Sequence, residues 1–86
     1  MPSVSQFFGI VIYMYYSDHA PPHFHAEYGE DEAVYVIETL ELMRGGLPRR
    51  AHGLVVEWAS LYREDLRANW SRARAGKRLI MIEPLD

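Results

Sequence analysis

The sequence predicts an α+β fold in which an antiparallel meander sheet of about four strands packs against one long C-terminal helix, with a short strand or tail after it. Two patterns carry that expectation. Apolar and β-branched runs with a period near two fill the first half of the chain, and one stretch with a period near 3.6 fills most of the second. With 86 residues, 49% of them hydrophobic and 13% aromatic, there is material for one core, so a single domain over residues 1–86 is expected.

The first strand is read at Phe8–Tyr16, a run too apolar on both alternating faces for an exposed edge, which places it centrally in the sheet. His23–Tyr28 alternates, with Phe24, Ala26 and Tyr28 on one face and His23, His25 and Glu27 on the other. After a Gly29-Glu30-Asp31-Glu32 turn come Ala33–Glu38 and then Leu40–Arg44, closed by Gly45-Gly46. Pro48 suits a first helical turn and Gly76 a helix stop, so one helix is read over Pro48–Ala75. Such a helix is roughly 40 Å long, whereas strands of six to nine residues reach only about 20 to 30 Å, and one end should overhang the sheet. Its apolar arc is read as Leu54, Val55, Trp58, Leu61, Tyr62, Leu66 and Trp70, opposite a stripe of Arg63, Arg67, Arg74 and Arg78. Asp65, Asn69 and Arg72 interrupt that arc, either as a buried network in which Asp65 and Arg72 neutralise each other and Asn69 bonds a strand end, or as half of a site. Leu79–Ile82 is read as a last strand or a docked extended tail, with pairing stopped by Pro84.

Charge is distributed unevenly. Residues 1–43 hold seven acids and no Lys or Arg, while residues 44–86 hold nine bases and five acids. Pairing between the two halves accounts for this, as does a basic face turned to a partner. Without cysteine there is neither a disulfide framework nor a thiolate metal site. No apolar run approaches the roughly 20 residues of a membrane span, and the N-terminus lacks the basic region and cleavage pattern of a signal peptide. The expectation is a soluble, cytoplasmic protein that does not engage a membrane.

The densest chemistry lies in Asp18–Gly29, DHAPPHFHAEYG, which holds three of the four histidines beside two adjacent prolines. A Pro-Pro pair fixes φ at two successive positions and extends the residue before it, so the segment should hold one shape. This segment, the opening MPSVSQFFGIVIYMYYSDH, the central RGGLPRRAHGLVVEWA and the closing IEPLD resemble the small bacterial DUF4160 family. The resemblance covers nearly the whole chain and implies no activity. It does imply a genomic setting like that of toxin and antitoxin pairs, in which a second small protein is encoded alongside.

Three functions compete for these residues. In the first, His23 and His25 project from one strand face and, helped by Glu27 or a folded-back His19, bind zinc or another late first-row metal. In the second, His23 and His25 are the catalytic pair of a metal-independent nuclease, exchanging a proton on a phosphodiester held by Arg72 or by Arg49 and Arg50. In the third, the chain is an interaction module: the helix overhang, carrying Trp70 and Arg74, docks on a second copy or on the neighbouring gene's product, and nucleic acid is a weaker candidate because the pI is near 5.7. Candidate binding residues across these readings are Asp18, His19, His23, His25, Tyr28, Asp65, Asn69, Trp70 and Arg72. Against all three stands a structural role, with His19 and His23 bonded to loop carbonyls and His25 paired with a neighbouring acid.

Overall fold

The computed structural model describes residues 2–16 and 18–86, and among these the chain forms five strands followed by two helices. Strands β1 (Ser3–Phe7), β2 (Ile10–Tyr13), β3 (His23–Tyr28), β4 (Asp31–Val36) and β5 (Leu42–Gly45) make one antiparallel sheet in the order β1-β2-β3-β4-β5. The meander is as expected, with one strand more. The single strand read at Phe8–Tyr16 is instead the second arm of a hairpin. Phe8 and Gly9 both have positive φ, 49° and 80°, the pattern of a type I′ turn whose twist matches that of the flanking strands. Phe8 is therefore an exposed hairpin tip, and β2 begins only at Ile10, paired with Phe7.

The other hairpins shift strand ends by a residue or two. Gly29 alone of the next turn takes positive φ, so the turn needs only Gly29-Glu30, and Asp31 and Glu32 join β4. Leu40, at φ 62°, turns the chain between β4 and β5 and donates its N–H to the Val36 carbonyl at 2.7 Å, which delays β5 to Leu42. Inside β5, Val34 pairs with Arg44 and Tyr35 with Leu42, so Met43 is the extra residue of a bulge. Gly45 closes this edge at φ 71°, where any Cβ would lie 2.1 Å from the Glu32 carbonyl oxygen.

The helical half departs most from expectation. In place of one helix over Pro48–Ala75 there are α1 (Arg49–Leu61) and α2 (Arg63–Arg74), broken at Tyr62, where φ −117° and ψ 29° leave the helical region. A straight helix of the expected length would exceed the largest dimension of the molecule, 33 Å, and the break folds its second half back onto the sheet. The overhang is accordingly absent, and Trp70 is 8% exposed. Each helix buries its own stripe, Ala51, Val55, Trp58 and Ala59 in α1 and Leu66, Asn69, Trp70 and Ala73 in α2. The change of direction turns Leu61, expected in the core, outward to 64% exposure. Arg63 and Arg67, read as a solvent stripe, hold the start of α2 to the β4–β5 turn: Arg63 donates to the Ile37 carbonyl at 3.1 Å, and Arg67 makes a two-pronged bond to Glu38 at 2.6 and 2.7 Å. This pairs the basic and acidic halves. Gly76 stops α2 as expected, at φ 72°, with Lys77 N–H donating to the Arg72 carbonyl and Gly76 N–H to that of Ala73, a Schellman cap.

Beyond Gly76 the chain forms no strand and docks as an extended tail. Asn69, fully buried, donates to the Ile80 carbonyl at 2.8 Å and accepts from the Ile80 N–H at 2.9 Å. Ile82 N–H bonds the Val4 carbonyl of β1, and the Trp58 indole N–H reaches the Glu83 carbonyl. One apolar core then lies between sheet and helices, with Trp58 against Phe7 and Phe24 and Phe24 stacked on Tyr35. No helix among the described residues is long and apolar enough to cross a membrane.

Candidate functional site

Alternation along β3 sends Phe24 and Ala26 into the helix-covered core and His23 and His25 to the opposite face of the sheet. Although they point away from that core, His23 and His25 are each only 4% exposed. Neighbouring strands and the loop after β2 cover them. Register sets Tyr13 of β2 and Val34 of β4 beside His25, with Arg44 of β5 one strand further in the same row. The Tyr13 ring stacks on His25 with centroids 5.0 Å apart, Tyr15 meets it edge-on at 4.7 Å, and the Trp70 indole closes over His23 at 5.1 Å. Tyr13 is in turn fixed by a hydrogen bond from its hydroxyl to Glu32.

Asp18 completes the cluster. The Pro-Pro loop, with Ala20–Pro21 in the cis form, is tied to the sheet by the Ile37 N–H bonded to the Pro22 carbonyl at 3.0 Å, and it sets Asp18 over the two histidines. One carboxylate oxygen lies 2.8 Å from His23 Nε2 and 3.6 Å from His25 Nε2. The other His23 nitrogen, Nδ1, is 2.7 Å from the Pro21 carbonyl oxygen. A carbonyl only accepts, so Nδ1 carries the proton and Nε2 is the nitrogen turned towards the carboxylate. His25 is bonded at neither nitrogen among the described residues, since 3.6 Å is too long for a hydrogen bond. One donor atom from each of Asp18, His23 and His25 lies within 4.8 Å of the other two.

Electrostatics keeps the carboxylate charged and His25 neutral. Burial opposes charge on Asp18, but the charge and hydrogen bond of His23 outweigh it together with the His19 backbone N–H, and the carboxyl titrates below its usual value. Burial is the main force on His25, aided by the His23 and Arg44 charges, and it pulls the imidazole below its usual value despite the nearby Asp18. A cleft of about 220 Å³ opens above this cluster, lined by Tyr15, Asp18, His19, His23, His25, Val34, Met43 and Arg44.

Of the residues read from sequence, Asp18, His23 and His25 are thus brought together, with Trp70 behind them. His19 stands at the cleft rim with its side chain 89% exposed, and Glu27, exposed further along β3, is outside the three-residue cluster. Tyr28 lies at the far end of the strand and lines a different cleft with Phe8, Arg50, Ala51 and Leu54. Asp65, Asn69 and Arg72 line a third, where Arg72 donates to Asn69 at 2.9 Å and Asn69 holds the tail. The arginines expected to serve the histidines, Arg72, Arg49 and Arg50, do not line the histidine cleft, and Asp65 and Arg72 form no ion pair among the described residues. Arg44 does line it. Its position on the histidine face follows from strand register, which the sequence leaves open across a turn of uncertain length.

Comparison with known proteins agrees with the resemblance read from the motifs. No curated protein and no solved structure matches the chain. The profile of DUF4160, a domain of unknown function, matches residues 9–71, a span that includes all four histidines and both tryptophans, and the chain belongs to that family.

Proposed function

We propose that the protein binds a divalent late first-row transition metal through Asp18, His23 and His25, with Nε2 as the donor of each histidine. The carrying observation is the state of His23. Its Nδ1–H is spent on a backbone carbonyl, the arrangement that fixes metal-ligating histidines, and this leaves Nε2 facing a carboxylate oxygen at 2.8 Å. Two acceptors cannot face each other at that distance, so Nε2 needs either a proton, giving an imidazolium, or a cation shared with Asp18. His25 supports the second option. A buried neutral imidazole with both nitrogens unbonded among the described residues costs stability unless its lone pair is used.

Two histidines and one carboxylate suit zinc, cobalt(II) or iron(II), and three protein ligands leave positions open towards the cleft. When bound, such an ion supplies Lewis acidity at the cleft floor. The chain's own residues supply the rest: Tyr13 and Trp70 pack the imidazoles in place, and the Pro21 carbonyl orients His23. Metal-independent acid–base chemistry has less support, because His25 lacks a hydrogen-bonded partner to relay a proton. Docking through an exposed Trp70 at the helix end has less support, because Trp70 is packed on His23.

Calorimetric titration with zinc, cobalt(II) and anaerobic iron(II) tests the reading. One equivalent should bind with micromolar affinity or better, and His23→Ala or Asp18→Asn should weaken it at least tenfold. Absence of binding by all three ions, or binding that survives the His23→Ala, His25→Ala double variant, defeats it.

A further inference from the structure

On the metal reading, a divalent ion held by Asp18, His23 and His25 would leave the cleft electrically unbalanced. Two neutral imidazoles and one carboxylate cancel only one of the two charges of a divalent ion, and the cleft wall adds a second cation, Arg44. Arg44 is the first Lys or Arg of the chain, after a stretch that holds seven acids. None of those acids pairs with it: among the described residues Arg44 makes no ion pair and no side-chain hydrogen bond, whereas Glu38 is taken by Arg67 and Glu32 by Tyr13. The sheet nevertheless fixes the backbone position of Arg44. It shares a row with Val34, His25 and Tyr13, and the bulge at Met43 lets two consecutive residues, Met43 and Arg44, both face the cleft.

We infer that the cleft binds a phosphoryl group, one oxygen taking the open metal position above Asp18, His23 and His25 and two others taking the guanidinium fork of Arg44. This rests on the metal reading. The choice of anion follows from the number of oxygens. A phosphate or phosphate ester has three or more oxygens, enough to fill both prongs of the fork and still place one on the metal, whereas a carboxylate has to divide or share its two between them and gives up part of one contact. Exposed His19 stands at the same rim as a further donor. The ligand class is therefore a small phosphate monoester or the terminal phosphate of a larger molecule, entering with its phosphate towards the sheet and its remainder towards solvent.

The test uses cobalt(II)-loaded protein, whose visible spectrum reports a new oxygen ligand, titrated with inorganic phosphate and separately with acetate at fixed ionic strength. Phosphate should bind with a spectral change, acetate at least tenfold more weakly. Arg44→Gln, at an exposed position, should take up cobalt as the parent does and lose at least tenfold in phosphate affinity. Failure of the parent to take up cobalt overturns the metal reading and this inference with it. Cobalt uptake with no phosphate response, with acetate binding as tightly as phosphate, or with phosphate binding unaffected by Arg44→Gln overturns this inference alone.

Discussion

The two faces of β3 solve burial in opposite ways. On the helix side Phe24 and Ala26 disappear into a core of Trp58, Tyr35 and Phe7, packed through apolar and aromatic contacts. On the other side, one residue away along the same strand, His23 and His25 are as inaccessible as core residues, yet their nitrogens are aimed at a carboxylate and into a cleft. Burial on the first face is what stabilises the fold. On the second it has the reverse sign, since removing imidazoles and a carboxylate from water is costly unless a ligand returns what solvent supplied. A small domain thus carries a costly polar cluster at the centre of its sheet.

The contrast is sharpest by mutation. Phe24→Ala should cost about 3 to 5 kcal/mol in chemical denaturation, the range for emptying a large core site. His25→Leu, at the neighbouring face, should leave metal-free stability at pH 7 within about 1 kcal/mol of the parent or raise it, while abolishing metal uptake. A loss as large as that of Phe24→Ala would mean that His25 is a structural residue and that the two faces are not different in kind.

An intermediate effect is expected from pH. Because His25 titrates below its unfolded value of about 6.5, the unfolded chain binds more protons as the solution is acidified, and the stabilisation present above that pH is lost as pH falls through the folded value. Asp18 acts in the same direction at lower pH, below the usual carboxylate range. Urea midpoints of chelator-treated protein should therefore fall between pH 7 and pH 5, with a smaller fall for His25→Leu. Equal slopes in the two proteins would assign the pH dependence elsewhere.

The smallest effect belongs to Leu61→Ala. With its side chain turned to solvent by the break at Tyr62, the substitution should change stability by no more than about 0.5 kcal/mol. A cost of several kcal/mol would restore the continuous helix expected from periodicity and remove the packing of Trp70 on His23.

The reasons for what sequence did and did not reveal are in part local and in part tertiary. His23–Tyr28 was legible to the residue because its alternation is unbroken, and Gly76 because a Schellman cap needs a left-handed residue there. β1 escaped notice because a bulge at Val4 buries two successive residues, Val4 and Ser5, and erases the period of two. The helix break carries no proline or internal glycine at Tyr62. What dictates it is the size of the sheet that the helix must cover, a tertiary fact. In the site, the pair of histidines was visible from spacing two, and Asp18 was visible only as a neighbour in the motif. That it overlies both imidazoles depends on the path of the Pro-Pro loop, and the placement of Arg44 on the pairing of β4 with β5.

The bulge in β5 bears on how such a cleft can diverge among relatives. Because Met43 is the unpaired residue, removing it would leave Leu42 opposite Tyr35 and Arg44 opposite Val34, with every other side chain of the sheet on its present face. The gap would open only in the cleft wall. Chain length at this one position thus sets the width of the cleft, independent of register, core and histidines.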